Sequence, residues 1–453
     1  MQMITITGKQ ALHGRIRPAA AKNSTLPLLA ATLLCRGPCR LQEVPALADV
    51  TTSLALLQAV GADVRRCGAD LCTRPVQTLC GEIPEFLAGA MRSSVFYLAP
   101  LLCRTGYVRL PLPGGCRLGP RPVDIHLAGL AAMGAEVELE GIAVTLRRKG
   151  PLHGVDFTLR LPSVGATLTL LMAACCARGR TVLRGAAQEP EIGDMVHFLQ
   201  ACGARILGCG TPVLTVDGGC PLAGTAHRPL PDRIAAATYA AALAAAGGEI
   251  EICGCDPAVY GAFLRFLAET GVTVTRAGDC VRLARDPAAP LRGGARLTAD
   301  AWPAFATDTA PLAAAVLLTA AGESEIYDRL FANRFACAAG FAALGAGCTA
   351  QGRRLHIDGG AALHGAAVTA PDLRGGAALL IAALAAEGQT TLRDPGHIPR
   401  GYADLPGELH SLGADCTAAH GTAQFKTSAA GGQARSAPGG AFLWVLPAFS
   451  FKI

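Results

Sequence analysis

The chain repeats one sequence pattern six times, and this repetition limits its possible folds more than any other feature. Each copy opens on the tripeptide Leu-x-Gly, and successive copies start 67 to 73 residues apart. The six openings are Leu12/Gly14, Leu79/Gly81, Leu152/Gly154, Leu222/Gly224, Leu291/Gly293 and Leu363/Gly365. Such a period indicates one supersecondary unit, arranged so that each copy covers the buried face of its neighbours.

Two further glycines recur in every copy and mark its internal boundaries. One precedes an alternating, strand-like run, at Gly37, Gly106, Gly179, Gly248, Gly322 and Gly388. The other ends an apolar helix, at Gly61, Gly134, Gly203, Gly271, Gly345 and Gly413. Because 453 residues exceed one ordinary hydrophobic core, the six units predict two domains of three.

The third copy gives the order of elements within a unit. Alternation predicts strands within residues 152–161, 179–185, 203–207 and 213–216, and apolar periodicity predicts helices over 163–177 and 191–201. The unit is therefore βαβαββ. Its first helix is apolar on nearly all sides, which is typical of a buried helix. We expect an α/β fold of two inside-out α/β barrel domains, each with three βαβαββ repeats around buried central helices.

Composition excludes several classes of protein. The chain has no run of 18 uninterrupted apolar residues and no signal-peptide pattern at its start, so we expect a cytoplasmic protein without membrane insertion. Its 18 cysteines are scattered, without a CxxC pair set, and are expected to be mostly free core residues. Residues 417–453 contribute +3 of the net charge of +6, which leaves too little for nucleic-acid binding.

Polar and charged residues stand at the start of each predicted central helix. They are Lys22-Asn23, Arg92-Ser93-Ser94, Ser163, Asp232-Arg233, Thr307-Asp308 and Asp372-Leu373-Arg374. Helix starts carry partial positive charge and free N–H groups, so three that converge form an anion-binding site. Helix capping is the alternative explanation for the serine, threonine and aspartate residues. Capping does not account for the four cations, because a cation at a helix start opposes the helix dipole. A bound polyanion accounts for all four.

The second copy carries an insertion between its second strand and its second helix. Residues 113–124 contain three glycines and three prolines, which predicts a loop. Within it, Cys116 lies between Arg117 and Arg121, whose charges favour the thiolate form.

These residues resemble the enolpyruvyl transferase family, in its UDP-N-acetylglucosamine 1-carboxyvinyltransferase branch. The most specific match is Pro113-Gly114-Gly115-Cys116 followed by Arg121-Pro122-Val123-Asp124, within a resemblance that runs from about residue 3 to residue 416. The other matching segments are Ala21-Lys22-Asn23, Met91-Arg92, Ser163-Val164-Gly165-Ala166-Thr167, Glu189-Pro190-Glu191-Ile192, Pro231-Asp232-Arg233-Ile234, Thr307-Asp308, Asn333-Arg334-Phe335, Asp372-Leu373-Arg374 and Arg400-Gly401-Tyr402.

The resemblance implies transfer of an enolpyruvyl group from phosphoenolpyruvate to the 3-hydroxyl of UDP-N-acetylglucosamine, by addition and elimination with release of phosphate. This is the first committed step of peptidoglycan precursor synthesis, on which cell shape and division depend. Cys116 is then linked to protonation of phosphoenolpyruvate and forms an adduct with it, while Asp308 takes the proton of the sugar hydroxyl. Fosfomycin, which alkylates the loop thiol in this family, should inactivate the protein. No cofactor or metal ion is implied, and we expect a monomer.

The resemblance also assigns the substrate-binding residues. Lys22, Arg121 and Arg400 hold phosphoenolpyruvate, and Asn23 contacts the sugar. The N–H groups of the helix start bind the diphosphate, and a second segment lines the uridine; these are Ser163, Val164 and Gly165, and Arg121, Pro122, Val123 and Asp124. The remaining binding positions are Arg92, Leu330, Arg334, Asp372 and Arg374.

The predicted domain boundaries follow from the repeats and the resemblance. One domain spans residues 22–230 with the Cys116 loop, and the second combines residues 1–21 with 231–418. The loop is expected to act as a lid, and the chain crossings near residues 21 and 230 as hinges. Residues 419–453 fit neither repeat nor family, and we expect them to be a disordered tail.

Two alternatives remain at this point. The shikimate-phosphate enolpyruvyl transferases share the fold, but their family lacks the loop cysteine, so Cys116 argues against them. A catalytically silent paralogue would bind the UDP-sugar without turnover. Three positions depart from the family pattern, since Ala306, Ala235 and Leu161 stand where Pro, an acid and sometimes Lys occur.

Overall fold

The structure is a computed structural model that describes residues 1–111 and 123–420. Within these ranges the α-helices are α1 Lys22–Ala31, α2 Ala48–Ala59, α3 Glu85–Ala90, α4 Leu98–Thr105, α5 Asp124–Ala132, α6 Val164–Cys176, α7 Pro190–Ala201, α8 Arg233–Ala246, α9 Gly261–Thr270, α10 Ala310–Leu317, α11 Ala338–Ala343, α12 Leu373–Ala385 and α13 Leu405–Ser411. Short 3-10 turns lie at Thr32–Leu34, Arg92–Tyr97, Pro257–Tyr260, Thr307–Thr309 and Ile398–Arg400.

The strands alternate with these helices along the chain. They are β1 Gln2–Thr7, β2 Leu12–Ile16, β3 Cys39–Leu41, β4 Asp63–Cys67, β5 Asp70–Arg74, β6 Tyr107–Pro111, β7 Glu136–Glu140, β8 Ala143–Arg147, β9 Asp156–Thr158, β10 Gly179–Arg184, β11 Arg205–Leu207, β12 Val213–Gly218, β13 Ala226–His227, β14 Gly248–Cys253, β15 Thr273–Ala277, β16 Cys280–Arg285, β17 Arg296–Asp300, β18 Phe305–Ala306, β19 Ser324–Asp328, β20 Cys348–Gln351, β21 Arg354–Ile357, β22 Ala367–Thr369, β23 Gln389–Asp394 and β24 Asp415–His420.

The third copy has the predicted βαβαββ order. Strand β9 pairs in parallel with β10 across the helix α6, with Leu183 opposite Phe157. Strand β10 then pairs antiparallel with β12, and β12 antiparallel with β11. The prediction of an α/β fold built from such units is confirmed, because the strands of the described residues form six separate sheets, in number one for each copy.

The first and fourth copies exchange their opening strands. Strand β2, from the first Leu-x-Gly, pairs in parallel with β14 of the fourth copy, and β13 pairs with β3 of the first. The sixth copy takes β1 as its missing strand, placed between β23 and β24. The first, fourth and sixth copies are therefore not continuous stretches of chain, although the spacing of the repeats suggested that they were. The exchange brings residues 19–21 beside residues 230–232.

The Leu-x-Gly glycine marks a close approach of two backbones. A Cβ at five of these six positions would lie 1.9 to 2.4 Å from a backbone carbonyl oxygen, at Gly81, Gly154, Gly224, Gly293 and Gly365. Since no side chain fits there, the tripeptide recurs for a packing reason. Gly14 differs. In its sheet the close approach is made by Gly248 of β14, which lies opposite Leu12.

The buried apolar residues form two clusters that enclose the central helices. One cluster draws on residues 26–222, and the other on residues 4–16 and 235–416. Every residue of α8 is buried, and α8, α10 and α12 pack against one another. In the other cluster the turn Arg92–Tyr97 packs against α1 and α6. The helices predicted to be apolar all round are therefore the cores around which the sheets are arranged.

Three further points concern the ends and the composition of the chain. Strand β24 pairs with β1 as far as residue 420, so the predicted tail begins two residues too early at 419, and residues 421–453 lie outside the described part. Cys253 and Cys280 form a disulfide across β14 and β16, an exception to the expectation that most cysteines are free core residues. Within residues 1–111 and 123–420, no helix combines the length and apolar character needed to cross a membrane.

Candidate active site

Lys22, the first residue of α1, lies beside a carboxylate that also pairs with Arg400, from the C-terminal part of the chain. Lys22 Nζ lies 3.4 Å from Asp49 Oδ2 in the first turn of α2. Arg400 Nε donates to Asp49 Oδ1 at 2.8 Å, and its Nη2 to Oδ2 at 3.4 Å. This ion pair joins residues 351 positions apart, so it brings Lys22 and Arg400 together as the sequence predicted.

Burial lowers the pKa of the Lys22 ammonium, and Arg374 and Arg400 lower it further. Asp49 and Asp308 act in the opposite direction. These five residues are thus close enough to influence one another, although they come from five separate elements. Contact with an anionic ligand stabilises the charged form of a buried ammonium, because the ligand replaces the hydration that burial removes.

Asp308 is held between two arginines. Its Oδ1 lies 3.2 Å from Arg334 Nη2, and its Oδ2 accepts from Arg374 Nη2 at 3.4 Å. Arg374 Nη1 donates in turn to the hydroxyl of Tyr402 at 3.2 Å. Capping was the alternative explanation for Asp308, but the N-cap positions of the turn Thr307–Thr309 and of α10 are Ala306 and Thr309. A two-sided ion pair is what the structure gives instead.

Arg334 is the largest fully buried side chain of the described part, and it contacts three other polar residues of this cluster. Its Nε donates to Thr307 Oγ1 at 3.0 Å and lies 3.6 Å from Asp328 Oδ2. Asp328 Oδ1 accepts the backbone N–H of Leu330 at 2.8 Å. Among described residues Arg334 Nη1 has no hydrogen-bond partner, although the side chain is fully buried.

A second group lies at the start of α6. The Ser163 hydroxyl accepts from Ala166 N at 3.3 Å, so Ser163 caps the helix. A Cβ on Gly165 would be 3.0 Å from the ring of His126, which therefore packs directly on the first turn. The other side of that ring contacts Thr169 Oγ1 at 2.9 Å. Arg92 lies close enough to act on His126 electrostatically, so the structure places it near this helix start.

The remaining predicted residues fall into three groups. Asp124 begins α5 and its carboxylate accepts from Arg160, while Asp372 caps α12 by accepting from Arg374 N at 2.9 Å. Asn23 and Val164 lie at the starts of α1 and α6, Val123 just precedes α5, and Leu330 is 40% exposed. Cys116, Arg121 and Pro122 lie outside the described residues.

One predicted feature needs correction. Arg233 was expected to face a bound polyanion, but its Nε and Nη2 donate to Glu191 at 3.1 and 3.4 Å, and both side chains are buried. Lys22 and Arg374 also have carboxylate partners. The cations of this cluster are therefore balanced mainly by protein carboxylates. Lys22, Arg334, Arg374 and Arg400 form ion pairs with Asp49, Asp308 and Asp328.

Comparisons with known proteins bear on what this cluster does. The sequence model of the family described as EPSP synthase (3-phosphoshikimate 1-carboxyvinyltransferase) matches residues 6–409. The chain belongs to the enolpyruvyl transferase family. Relatives named UDP-N-acetylglucosamine 1-carboxyvinyltransferase include one from Chelativorans, 40% identical over 92% of this chain and 99% of the relative. Another, from Sorangium cellulosum, is 40% identical over 93% and 99%.

Solved structures of the family have the same fold. The enolpyruvyl transferase NikO from Streptomyces tendae is 27% identical, with a TM-score of 0.83 over 92% of this chain and 98% of that one. An EPSP synthase from Acinetobacter baumannii, 16% identical, has a TM-score of 0.72 over 93% and 100%. The family recognised from the sequence motifs, the transferase class and the fold are thereby confirmed.

Sequence reasoning missed three residues of the site. Asp49 looks like an ordinary acid in the first turn of a helix, and His126 like a core residue of α5. Asp328 had a usable signal, because Asp394 occupies the matching strand end of the next copy and also accepts N–H groups from its following turn. A polar residue repeated at one position of a repeat indicates a structural requirement at that position.

We predict that His126 makes the free energy of unfolding of the protein depend on pH. Burial lowers the pKa of His126 from 6.5 to about 3, with Arg92 acting in the same direction. Between these values the unfolded chain binds a proton that the folded chain does not, so stability is full above pH 6.5 and falls as the pH falls. Going from pH 7 to pH 5 should cost up to about 2 kcal/mol.

The measurement is urea unfolding at pH 7 and pH 5, followed by circular dichroism. His126→Gln should remove most of the difference between the two pH values, whatever its effect at pH 7. His13→Gln, at an exposed position, is the matched control and should leave the difference unchanged. An unchanged pH dependence in His126→Gln would show that other groups cause it.

Proposed function

We propose that this protein transfers the enolpyruvyl group of phosphoenolpyruvate to the 3-hydroxyl of UDP-N-acetylglucosamine and releases phosphate. The observation that carries the proposal is the position of Asp308, held by Arg334 and Arg374 in the same cluster as Lys22 and Arg400. The relatives named UDP-N-acetylglucosamine 1-carboxyvinyltransferase support this choice of acceptor over shikimate phosphate.

The reaction needs a base near the sugar hydroxyl and an acid near C3 of phosphoenolpyruvate. Asp308 takes the proton of the sugar hydroxyl as its oxygen adds to C2 of phosphoenolpyruvate, while C3 receives a proton, so that a tetrahedral ketal forms. Phosphate then leaves as a proton is removed from C3, which regenerates the double bond. Two arginines keep Asp308 oriented, and Cys116 is proposed to take part in the protonation of C3 and to form the adduct with phosphoenolpyruvate.

The cations of the cluster account for phosphoenolpyruvate binding. Lys22 and Arg400 already share Asp49, and a phosphate or carboxylate oxygen can enter that pair because each cation has further donors. Arg121, beyond the described residues, is proposed to complete the contacts. Arg334 Nη1 and Arg374 supply additional positive charge as phosphate develops on the leaving side.

The α6 start is proposed as the diphosphate site. Ser163 caps the helix through its side chain, so the N–H groups of Val164 and Gly165 remain for an anion, and Arg92 lies nearby. Asn23 is proposed to contact the sugar, and Asp124 the uridine. The other proposed contacts are Arg121, Pro122, Val123, Leu330 and Asp372.

Closure of two domains is part of the proposal. The boundaries 22–230 and 1–21 with 231–418 match the composition of the two buried clusters, and residues 19–21 and 230–232 run side by side between them. We propose that these crossings flex as substrates bind and water is excluded. The reaction would be the first committed step of peptidoglycan precursor synthesis, carried out by a monomer in the cytoplasm.

The test is phosphate release from phosphoenolpyruvate with and without UDP-N-acetylglucosamine. Wild type should release phosphate only with both substrates, and Cys116→Ser should be slower by about a hundredfold. Fosfomycin should inactivate wild type and should not label Cys116→Ser. Sugar-independent release, full activity in the serine variant, or UDP-sugar binding without any turnover would each contradict the proposal.

A further inference from the structure

The start of α1, which carries Lys22, is poorly supported by its own residues. Its N-cap position is Ala21, whose methyl group cannot accept a hydrogen bond, and its first turn is without an acid. Lys22 is itself a cation at a helix start, where it opposes the helix dipole. By contrast, α6, α8 and α12 are each capped by the side chain of a serine or an aspartate. The support for the start of α1 therefore has to come from other parts of the chain.

Asp194, in α7, provides this support. The hydroxyl of Ser24, the third residue of α1, donates to Asp194 Oδ2. The same oxygen accepts the backbone N–H of Leu230 at 3.2 Å, and Asp194 Oδ1 lies 2.8 Å from His227 Nε2. Asp194 is 3% exposed, and Ser24 is fully buried. Three segments of the chain, namely α1, β13 and the crossing at residue 230, thus meet at one buried carboxylate.

The carboxylate of Asp194 acts on the start of α1 in two ways. Negative charge beside the first turn of a helix stabilises that turn, because its free N–H groups carry partial positive charge. The bond from Ser24 also fixes the third residue of α1, while Ala21 N donates to Leu230 O at 2.7 Å just before the helix. Lys22 lies between these two attachments. Its position is therefore set by α7 and by the crossing as well as by α1.

The same face of α7 also fixes the start of α8. Glu191 precedes Asp194 by three positions, so the two side chains lie on one side of the helix. Glu191 Oε1 accepts from Nε of Arg233, the first residue of α8, at 3.1 Å. Helix α7 thus holds the first turns of two helices, one from each of the two buried clusters.

We propose that Asp194 is a positioning residue for phosphoenolpyruvate binding, acting through Ser24 on Lys22. This inference rests on the proposed function, in which Lys22 and Arg400 hold phosphoenolpyruvate. The carboxylate paired with Lys22 is Asp49, so the role of Asp194 is to orient the helix start and not to neutralise the lysine. A misplacement of about 1 Å can cost about a hundredfold in rate. Loss of Asp194 therefore weakens the reaction although Lys22 and Arg400 are both retained.

The test measures phosphate release in two variants and in their combination. Ser24→Ala removes only the bond to α1, and Asp194→Ala removes all three bonds. Each should raise KM for phosphoenolpyruvate by about tenfold or more and lower kcat by less than about threefold. Ser24→Ala/Asp194→Ala should be no worse than Asp194→Ala, because both substitutions act through one bond. Alanine is the better helix former, so a purely local effect of Ser24→Ala would not weaken α1.

Asp70→Ala is the matched control for general destabilisation. Asp70 is also a buried carboxylate, and it accepts the backbone N–H of Glu43 at 2.9 Å and a side-chain bond from Arg40. It lies in β5, away from the start of α1. Its loss should lower stability but should leave KM for phosphoenolpyruvate within about twofold of wild type.

Hydrogen exchange followed by mass spectrometry gives a readout that does not need turnover. In Asp194→Ala, the peptides over residues 21–26 and 227–232 should both exchange faster by about tenfold, whereas Ser24→Ala should affect only the first. The inference is overturned by unchanged exchange at residues 21–26, by a wild-type KM in Ser24→Ala, by additive KM effects in the double variant, or by an equal rise of KM in Asp70→Ala. An inactive wild type would instead contradict the proposed function, and the exchange rates would still decide whether Asp194 fixes the start of α1.

Discussion

Asp308→Asn is expected to lower kcat for phosphate release by about a thousandfold, the largest effect on turnover that we predict for a single substitution. Asparagine keeps the size of the side chain but cannot accept the proton of the sugar hydroxyl. It also removes the one negative charge between Arg334 and Arg374, which leaves the cluster more positive. Binding of phosphoenolpyruvate should therefore not be weaker in this variant, although turnover is lost.

The measurement separates these two effects. Turnover is followed by phosphate release, and phosphoenolpyruvate binding by calorimetry in the presence of UDP-N-acetylglucosamine. Asp279→Asn, at a side chain that is 75% exposed, is the control and should behave as wild type. If Asp308→Asn keeps kcat within tenfold, Asp308 is not the base; if it loses phosphoenolpyruvate binding instead, its role is to position the arginines.

The fold could be predicted from the sequence because its signals are local and repeated six times. A Leu-x-Gly glycine packs against a strand in almost every copy, so one requirement was visible at several positions at once. The all-round apolar character of a helix such as α8 likewise follows from its burial alone. The exchange of β2 and β13 could not be predicted, because spacing along the chain does not say which sheet a strand joins.

The site was predictable where a charge conflicts with its local surroundings. A lysine or arginine at a helix start opposes the dipole, so Lys22 and Arg374 are conspicuous in the sequence itself. Asp49 is not, since an acid in a first helical turn satisfies every local rule. Glu191, the partner of Arg233, was missed for the same reason, because it also lies in the first turn of its helix. An acid that suits its own helix leaves no trace of a long-range partner in a single sequence.

The cysteines illustrate the same limit. The scattered positions of 18 cysteines predict free thiols in general, but the pairing of Cys253 with Cys280 depends on the register of two strands. The contact of Cys35 with Cys202, whose sulfurs lie 3.7 Å apart, likewise joins residues 167 positions apart in the chain. Both contacts follow from tertiary structure rather than from spacing in the sequence.

Arg334→Met is expected to lower the free energy of unfolding by about 3 to 5 kcal/mol, the largest loss of stability that we predict. Arg334 is fully buried, and so is its partner Asp328. Methionine fills part of the space but leaves the Asp328 carboxylate without a cation in the interior. The hydrogen bonds that Asp328 accepts from Thr307 and from the N–H groups of Leu330 and Phe331 remain, and they offset only part of that cost.

The cause of this loss can be tested with a second substitution. If the stranded carboxylate is responsible, Asp328→Asn/Arg334→Met should be more stable than Arg334→Met alone by about 1 to 2 kcal/mol, because the double variant buries no unpaired charge. Arg353→Met, at an exposed position, should change stability by less than about 0.5 kcal/mol. Urea unfolding followed by circular dichroism measures all three. A double variant less stable than Arg334→Met would mean that lost packing, and not the buried charge of Asp328, determines the stability of this cluster.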